Sequence, residues 1–152
     1  ILWILMGVLL LAKRGHRRTG ALVLAALAIE FLVCNVCLKN VVAAPRPCDL
    51  DPSVPLLIAR PTDYSFPSGH TGASFAAVAA LCLGKEKRWY LALVPALLIA
   101  FSRLYFYVHF PVDILGGMVV GIASGFLAWC LGKMWVQKIS QERGGKRKGV
   151  RL

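Results

Sequence analysis

A chain of 152 residues has room for one domain and no second. It is 58% hydrophobic with a mean hydropathy of +0.67, above the roughly 45–50% apolar share of soluble domains, so the composition argues for a membrane protein. The net charge of +11 fits nucleic-acid binding poorly, because the basic C-terminal stretch lacks interleaved aromatics and no nucleic-acid module is evident.

Apolar runs cover 1–12, 20–38, 67–84, 89–108 and 111–132. The first is shorter than the ~20 residues a spanning helix needs. It reads as the end of a longer helix in a fragment that opens at Ile1. A cleaved signal peptide fits less well, since no basic stretch precedes the run and no clear small-residue cleavage site follows it. The other four runs have roughly the length of spans. Backbone groups in lipid must pair internally, so such runs predict helices rather than open strands. The expected fold is therefore all-α: a polytopic membrane helix bundle of four complete spans plus a partial N-terminal helix. Residues 1–133 form the membrane-embedded domain, and 134–152 form a basic tail, flexible after its first turns.

The cations orient the bundle. Lys13, Arg14, Arg17 and Arg18 lie between the first two runs, and Lys85, Lys87 and Arg88 between the third and fourth. Seven more follow the last run, from Lys133 to Arg151, which places 14 of the 18 Lys and Arg on one side. By the positive-inside rule that side, with the tail, is cytoplasmic. Lys39, Arg46, Arg60 and Arg103 fall on the other side. The surplus charge then reflects topology and attraction to anionic lipid.

The outer connection, 40–66, carries five prolines that stop helix propagation. A loop this long is functional or disordered. Its apolar piece VPLLIA at 54–59 borders a substrate entrance or simply packs over helix ends. The five cysteines make no metal or disulfide framework: Cys34 and Cys37 are spaced CxxC inside an apolar run, with no second pair.

Three strings carry the chemistry: KNVVAAPRP at 39–47, PSGH at 67–70 and SRLYFYVHFPVD at 102–113. Charged groups at mid-bilayer cost roughly 2.5–3.5 kcal/mol each on insertion scales, so their clustering on one face calls for a reason. Pro67 suits a helix first turn, where the amides of Ser68 and Gly69 would meet an anion at the positive end of the dipole, with His70 in reach. An ordinary capped helix start explains PSGH alone equally well. Pro111 begins the last helix, so Asp113 can hold one imidazole nitrogen of His109 and leave the other as a nucleophile. A His–Asp pair that merely ties two helix ends is the alternative. Lys39, Arg46 and Arg103 fit a phosphoryl pocket, or, taken singly, snorkelling anchors.

Together the strings resemble, position for position, the three-part signature of the type 2 phosphatidic acid phosphatase superfamily: Lys39 with Arg46-Pro47, Pro67 to His70, and Ser102-Arg103 with His109 and Asp113. The resemblance spans 39–113, with helix order agreeing from about 20 to 132. It implies a family core of six helices, of which four and a stump are present here. It also implies that His109, oriented by Asp113, attacks phosphorus to form phosphohistidine, and that His70 protonates the leaving oxygen. Lys39, Arg46, Arg103, Ser68 and the Gly69 amide would hold the phosphoryl oxygens, with no metal and no cofactor. The implied activity is hydrolysis of a lipid phosphate or diphosphate at the extracytoplasmic face, in a bacterial plasma membrane. A polyprenyl diphosphate such as the undecaprenyl carrier leads, and phosphatidic acid, phosphatidylglycerol phosphate and lipid A phosphates stay open. A lipid phosphotransferase and a non-catalytic lipid-phosphate binding or transport protein are the rivals. Sequence leaves the oligomeric state open. Of the remaining marked residues, Gly117, Gly121 and Gly125 read as a helix-packing ladder, Glu30 and Asn35 as facing other helices or water, and Pro95 as a kink.

Overall fold

The computed structural model of the chain describes residues 1–149. Among them there is no strand, and the elements follow the apolar runs. Helix α1 is Leu2–Ala12. After a turn in which Gly15 has φ +91°, α2 (Arg17–Glu30) passes without a break into a π-helical segment, Phe31–Leu38, and into α3 (Lys39–Val42). The left-handed Ala43 at φ 49° ends this column. A short α4 (Pro47–Leu50) interrupts the outer connection. Then come α5 (Gly69–Leu83), a 3₁₀ turn Trp89–Ala92 running into α6 (Leu93–Tyr105), and α7 (Pro111–Gly149). Pro47 and Pro111 each open a helix, where a missing N–H costs little.

Two stretches, Arg17–Leu50 and Pro111–Lys138, are long and apolar enough to cross a bilayer. The third and fourth apolar runs form shorter helices than the sequence suggested. The 15 residues of α5 reach only about 22 Å at 1.5 Å per residue, and Leu2–Ala12 and Trp89–Tyr105 are also short apolar helices. Helix α7 runs on past the last apolar run to Gly149, with no proline to break it. Residues 150–152, the end of the expected tail, lie outside the described residues. Pro95 falls in the first turn of α6, just after the 3₁₀ turn.

Helix α5 is the hub, packed against α7, α2 and α6. Its sequence, GHTGASFAAVAALCL, is mostly small, which lets neighbouring backbones approach closely. The glycine ladder of α7 uses this. A Cβ on Gly117 would press on the Ser68 carbonyl and Thr71, one on Gly121 would overlap the Gly72 carbonyl, and one on Gly125 would meet Ala79 and the Ala76 carbonyl. The opposite face of α7 exposes Val112, Leu115, Val119, Ile122 and Phe126, an apolar stripe at helical spacing suited to lipid. Trp3 joins α1 to the hub by donating its indole N–H to Ser74 Oγ at 2.9 Å. At the far end the two basic connections meet: His16 Nδ1 lies 2.9 Å from both Glu86 carboxylate oxygens, and Thr19 Oγ1 donates to the Gly84 carbonyl.

Replacing Gly121 with valine should therefore destabilise the fold by roughly 1–3 kcal/mol through overpacking. Gly132→Ala, where a Cβ meets nothing within 4 Å, should be neutral or stabilising by up to about 1 kcal/mol. Thermal unfolding in detergent checks the pair, and equal effects would remove the ladder from the packing account.

Candidate active site

The three strings meet at one end of the bundle, opposite the basic loops. Lys39 arrives on α3, Arg46 just before α4, Gly69 and His70 on the first turn of α5, Arg103 in the last turns of α6, and His109 in the loop before α7. All six line one cavity of about 940 Å³, whose apolar wall includes Ile4, Leu24, Leu27 and Phe31 of the α1 and α2 column. Ile58 and Ala59 of the apolar loop piece also border it, as do Glu30 and Asn35. Glu30 is buried against Gly72 and its Oε1 has no partner.

Asp113 stands directly behind His109. Its Oδ2 accepts the Phe110 amide at 2.8 Å and the Ser65 hydroxyl at 2.5 Å, and lies 3.3 Å from His109 Nδ1. On the other side of the ring, Arg46 Nη1 lies 3.2 Å from Nε2. Guanidinium can only donate and an ionised carboxylate can only accept, so both neighbours select the same tautomer. The proton sits on Nδ1, and the Nε2 lone pair accepts from Arg46 in the wall of the cavity. Burial pushes the His109 imidazole below its ordinary 6.5, and the charge of Arg46 adds to this against the opposing hydrogen bond to Asp113. The ring is therefore neutral at pH 7.

Arg46 and Lys39 are both buried. The Arg46 guanidinium donates to the carbonyls of Asp63 (2.8 Å), Tyr64 (3.2 Å) and Val108 (2.7 Å), and to Asp63 Oδ1 (2.7 Å). Lys39 Nζ donates to Asp63 Oδ2. Burial alone would raise the Asp63 carboxyl, but these hydrogen bonds and the charges of Lys39 and Arg46 outweigh it and hold the group below its usual 3.8. Arg103 packs over the Phe106 ring at 5.1 Å and donates Nε and Nη2 to Ser102 Oγ, each at 3.1 Å. Lys39, Arg46 and Arg103 line the cavity together with the carboxylates of Asp63 and Glu30, and the three cations offer positive groups that an anion can meet.

Ser68 departs from the sequence expectation. It is buried outside the cavity lining. Its amide donates to the Asp113 carbonyl at 3.0 Å and its hydroxyl accepts from Thr71, so it ties the start of α5 to the start of α7 instead of meeting the cavity. Two residues that the strings omit belong to the site: Ser65, which braces Asp113, and Asp63, which bridges the cations. Their only signal in sequence is position, a short polar stretch just before PSGH. Among the described residues no three His, Cys, Asp or Glu side chains gather into a metal cluster.

Comparison with known proteins bears on the family and the fold. An undecaprenyl-diphosphatase of Sulfolobus acidocaldarius is 35% identical over 127 residues, which cover 83% of this chain and 61% of the relative. The chain thus spans about three fifths of that relative's length. Among solved structures, Aquifex aeolicus LpxE superimposes with a TM-score of 0.69 at 30% identity, over 81% of this chain and 73% of the other. The transmembrane PAP2 type phosphatidylglycerolphosphate phosphatase of Bacillus subtilis superimposes with a TM-score of 0.63 at 28% identity, over 91% and 68%. The profile of the PAP2 superfamily matches residues 19–137. That match takes in all three strings and the helices that carry them, and the chain belongs to the PAP2 superfamily.

Proposed function

We propose that this chain is the catalytic core of an integral-membrane phosphatase that hydrolyses a lipid phosphate or diphosphate through a phosphohistidine, without a metal ion. The observation that carries the reading is the orientation of His109: Asp113 holds Nδ1, and Nε2 points among Arg46, Lys39 and Arg103. In the first step the Nε2 lone pair forms a bond to phosphorus, the bond to the leaving oxygen breaks, and His70 gives that oxygen a proton. In the second, water attacks phosphorus, His70 takes the water's proton, and the N–P bond breaks to return His109. Lys39, Arg46, Arg103 and the Gly69 amide hold the phosphoryl oxygens. Ser68 acts on the anion only through the helix start it anchors.

One general acid or base supplies roughly 10²–10⁴-fold, whereas phosphate-monoester hydrolysis can need up to ~10²¹. The cationic clamp and the covalent step must therefore carry most of the acceleration. The leading substrate is a polyprenyl diphosphate such as the undecaprenyl carrier, a choice supported by the Sulfolobus relative. The headgroup meets the cations while the tail lies along the apolar wall. The site faces away from the cytoplasm, since the basic loops lie at the other end, and the C-terminal tail is cytoplasmic.

Phosphate release from a panel of polyprenyl diphosphate, phosphatidic acid, phosphatidylglycerol phosphate and lipid A, by full-length protein in detergent, tests the reading. Release should survive EDTA and be blocked by vanadate. His109→Ala should abolish both turnover and the acid-labile phosphoenzyme, while His70→Ala should lose at least 10²-fold in turnover yet still label with a substrate whose leaving group needs no proton. Phosphoenzyme in the His109 variant would remove that residue from the nucleophile's role. Activity lost in EDTA and restored by magnesium or zinc would show the metal-free scheme to be wrong. Transfer to an added alcohol in preference to water would mark a phosphotransferase, and binding without turnover a carrier.

The pH dependence follows from the His109 environment. Attack needs His109 neutral and departure needs His70 protonated, so kcat/KM should be bell-shaped. The acid limb belongs to His109 and should lie below 6.5. Asp113→Asn removes an influence that raises the imidazole, so this limb should move further down while kcat falls on the order of 10²-fold or more. Stability has the same sign. Unfolded His109 binds a proton near 6.5 and the folded ring binds it only lower, so the fold loses stability as pH drops through that window. An acid limb at or above 6.5 in the unmodified enzyme would contradict the assignment.

A further inference from the structure

Asp63 belongs to none of the three strings, yet its carboxylate lies between the two buried cations of the site. Each oxygen takes one of them: Oδ1 accepts from Arg46 Nη2 and Oδ2 from Lys39 Nζ. The exposures are unequal. The Lys39 and Arg46 side chains are 6% and 3% exposed, whereas that of Asp63 is 53% exposed. The cations are fixed in the protein and the carboxylate reaches them from the solvent side.

A donor count sharpens the point. Guanidinium has five N–H groups. Those of Arg46 go to the carbonyls of Asp63, Tyr64 and Val108, to Asp63 Oδ1 and to His109 Nε2. No donor is left for a phosphoryl oxygen. The three carbonyls are backbone, and the nitrogen on His109 must attack phosphorus. The acceptor that a side-chain rotation can withdraw is the Asp63 carboxylate. The same rotation frees Lys39.

We infer that Asp63 is a displaceable stand-in for the substrate's phosphoryl group and a determinant of specificity. This rests on the reading that the cavity binds a lipid phosphate. The carboxylate carries one negative charge on two oxygens, and an incoming group must replace it. A terminal phosphate, with charge approaching two and three oxygens, gains by the exchange. A phosphodiester, with one charge and a second substituent, does not. In a bilayer most phosphorus is in phosphodiester headgroups, so a bare cationic pocket would be occupied by bulk lipid. Asp63 keeps that pocket closed to diesters and open to terminal phosphates and diphosphates.

The test titrates inorganic phosphate, and separately dibutyl phosphate, into purified full-length protein in detergent by calorimetry. Asp63→Asn and Asp63→Ala should each bind phosphate roughly tenfold more tightly than the unmodified protein, the scale of one charge-assisted hydrogen bond released. Both variants should also take up dibutyl phosphate, which the unmodified protein rejects, and Asp63→Glu should restore the rejection. Phosphate affinity that is unchanged or weaker in both neutral variants overturns the stand-in, as does an unmodified protein that binds dibutyl phosphate as well as phosphate. Binding does not depend on turnover, so the two readings fail separately. An unmodified enzyme that cleaves lipid phosphate, with variants that bind phosphate no more tightly, sinks only the role of Asp63. Tighter phosphate binding by the variants of a protein that cleaves no lipid phosphate supports the stand-in and sinks the hydrolase.

Discussion

The buried guanidinium of Arg46 is the joint on which the site depends. A charge taken out of water is tolerated only when its donors are all satisfied, and here that requirement ties three separate connections together. The turn after α3 supplies Arg46 itself, the end of the outer loop supplies the carbonyls of Asp63 and Tyr64, and the loop before α7 supplies the Val108 carbonyl and the His109 ring. Loops that could otherwise move independently are bound to a single planar group whose fork has fixed directions. Preorganisation of this kind favours a developing anionic transition state, because the donors need not be reoriented when the charge appears.

The helices set where those loops can begin. Small residues on α5 and glycines on α7 bring two backbones close enough for the Ser68 amide to reach the Asp113 carbonyl at 3.0 Å. That hydrogen bond links the element that carries His70 to the one that carries Asp113. The bundle thereby serves the site by proximity, and the apolar outer face of α7 is left to lipid.

Much of this was legible in the sequence for identifiable reasons. Apolar runs announce helices because lipid leaves the backbone no other partner, and Pro111 marks a helix start because its missing N–H is harmless there, whereas Pro67 lies just before the Ser68 cap of α5 and Pro47, read only as a breaker, opens α4. The cations and histidines stood out because charge is costly in such surroundings. What escaped has equally physical causes. Asp63 and Ser65 lie in an irregular loop with no periodicity to place them, so only the fold reveals that they face Lys39, Arg46 and Asp113. Ser68 looked like an anion ligand because a helix start offers free amides, but a carbonyl on another helix takes the one it has. The π-helical stretch Phe31–Leu38 reads as ordinary apolar helix, since its widened hydrogen bonding has no compositional signature. The run 67–84 is longer than α5 because it takes in Pro67, the N-cap Ser68 and the C-cap Gly84, which flank the helix without belonging to it.

Gly117 gives the bundle a second meaning. It lies on α7 one turn beyond Asp113, and nothing but a hydrogen atom separates it from the Ser68 carbonyl and Thr71. The separation between α5 and α7 at this level sets how near the start of α5, which carries His70, comes to the start of α7, which follows His109. The ladder is thus a calliper as well as a seam, and a side chain inserted there would widen the jaws. Since a misplacement of about 1 Å can cost on the order of 10²-fold in rate, the enzyme's sensitivity to substitution should extend down a lipid-buried helix, well away from any group that touches phosphorus.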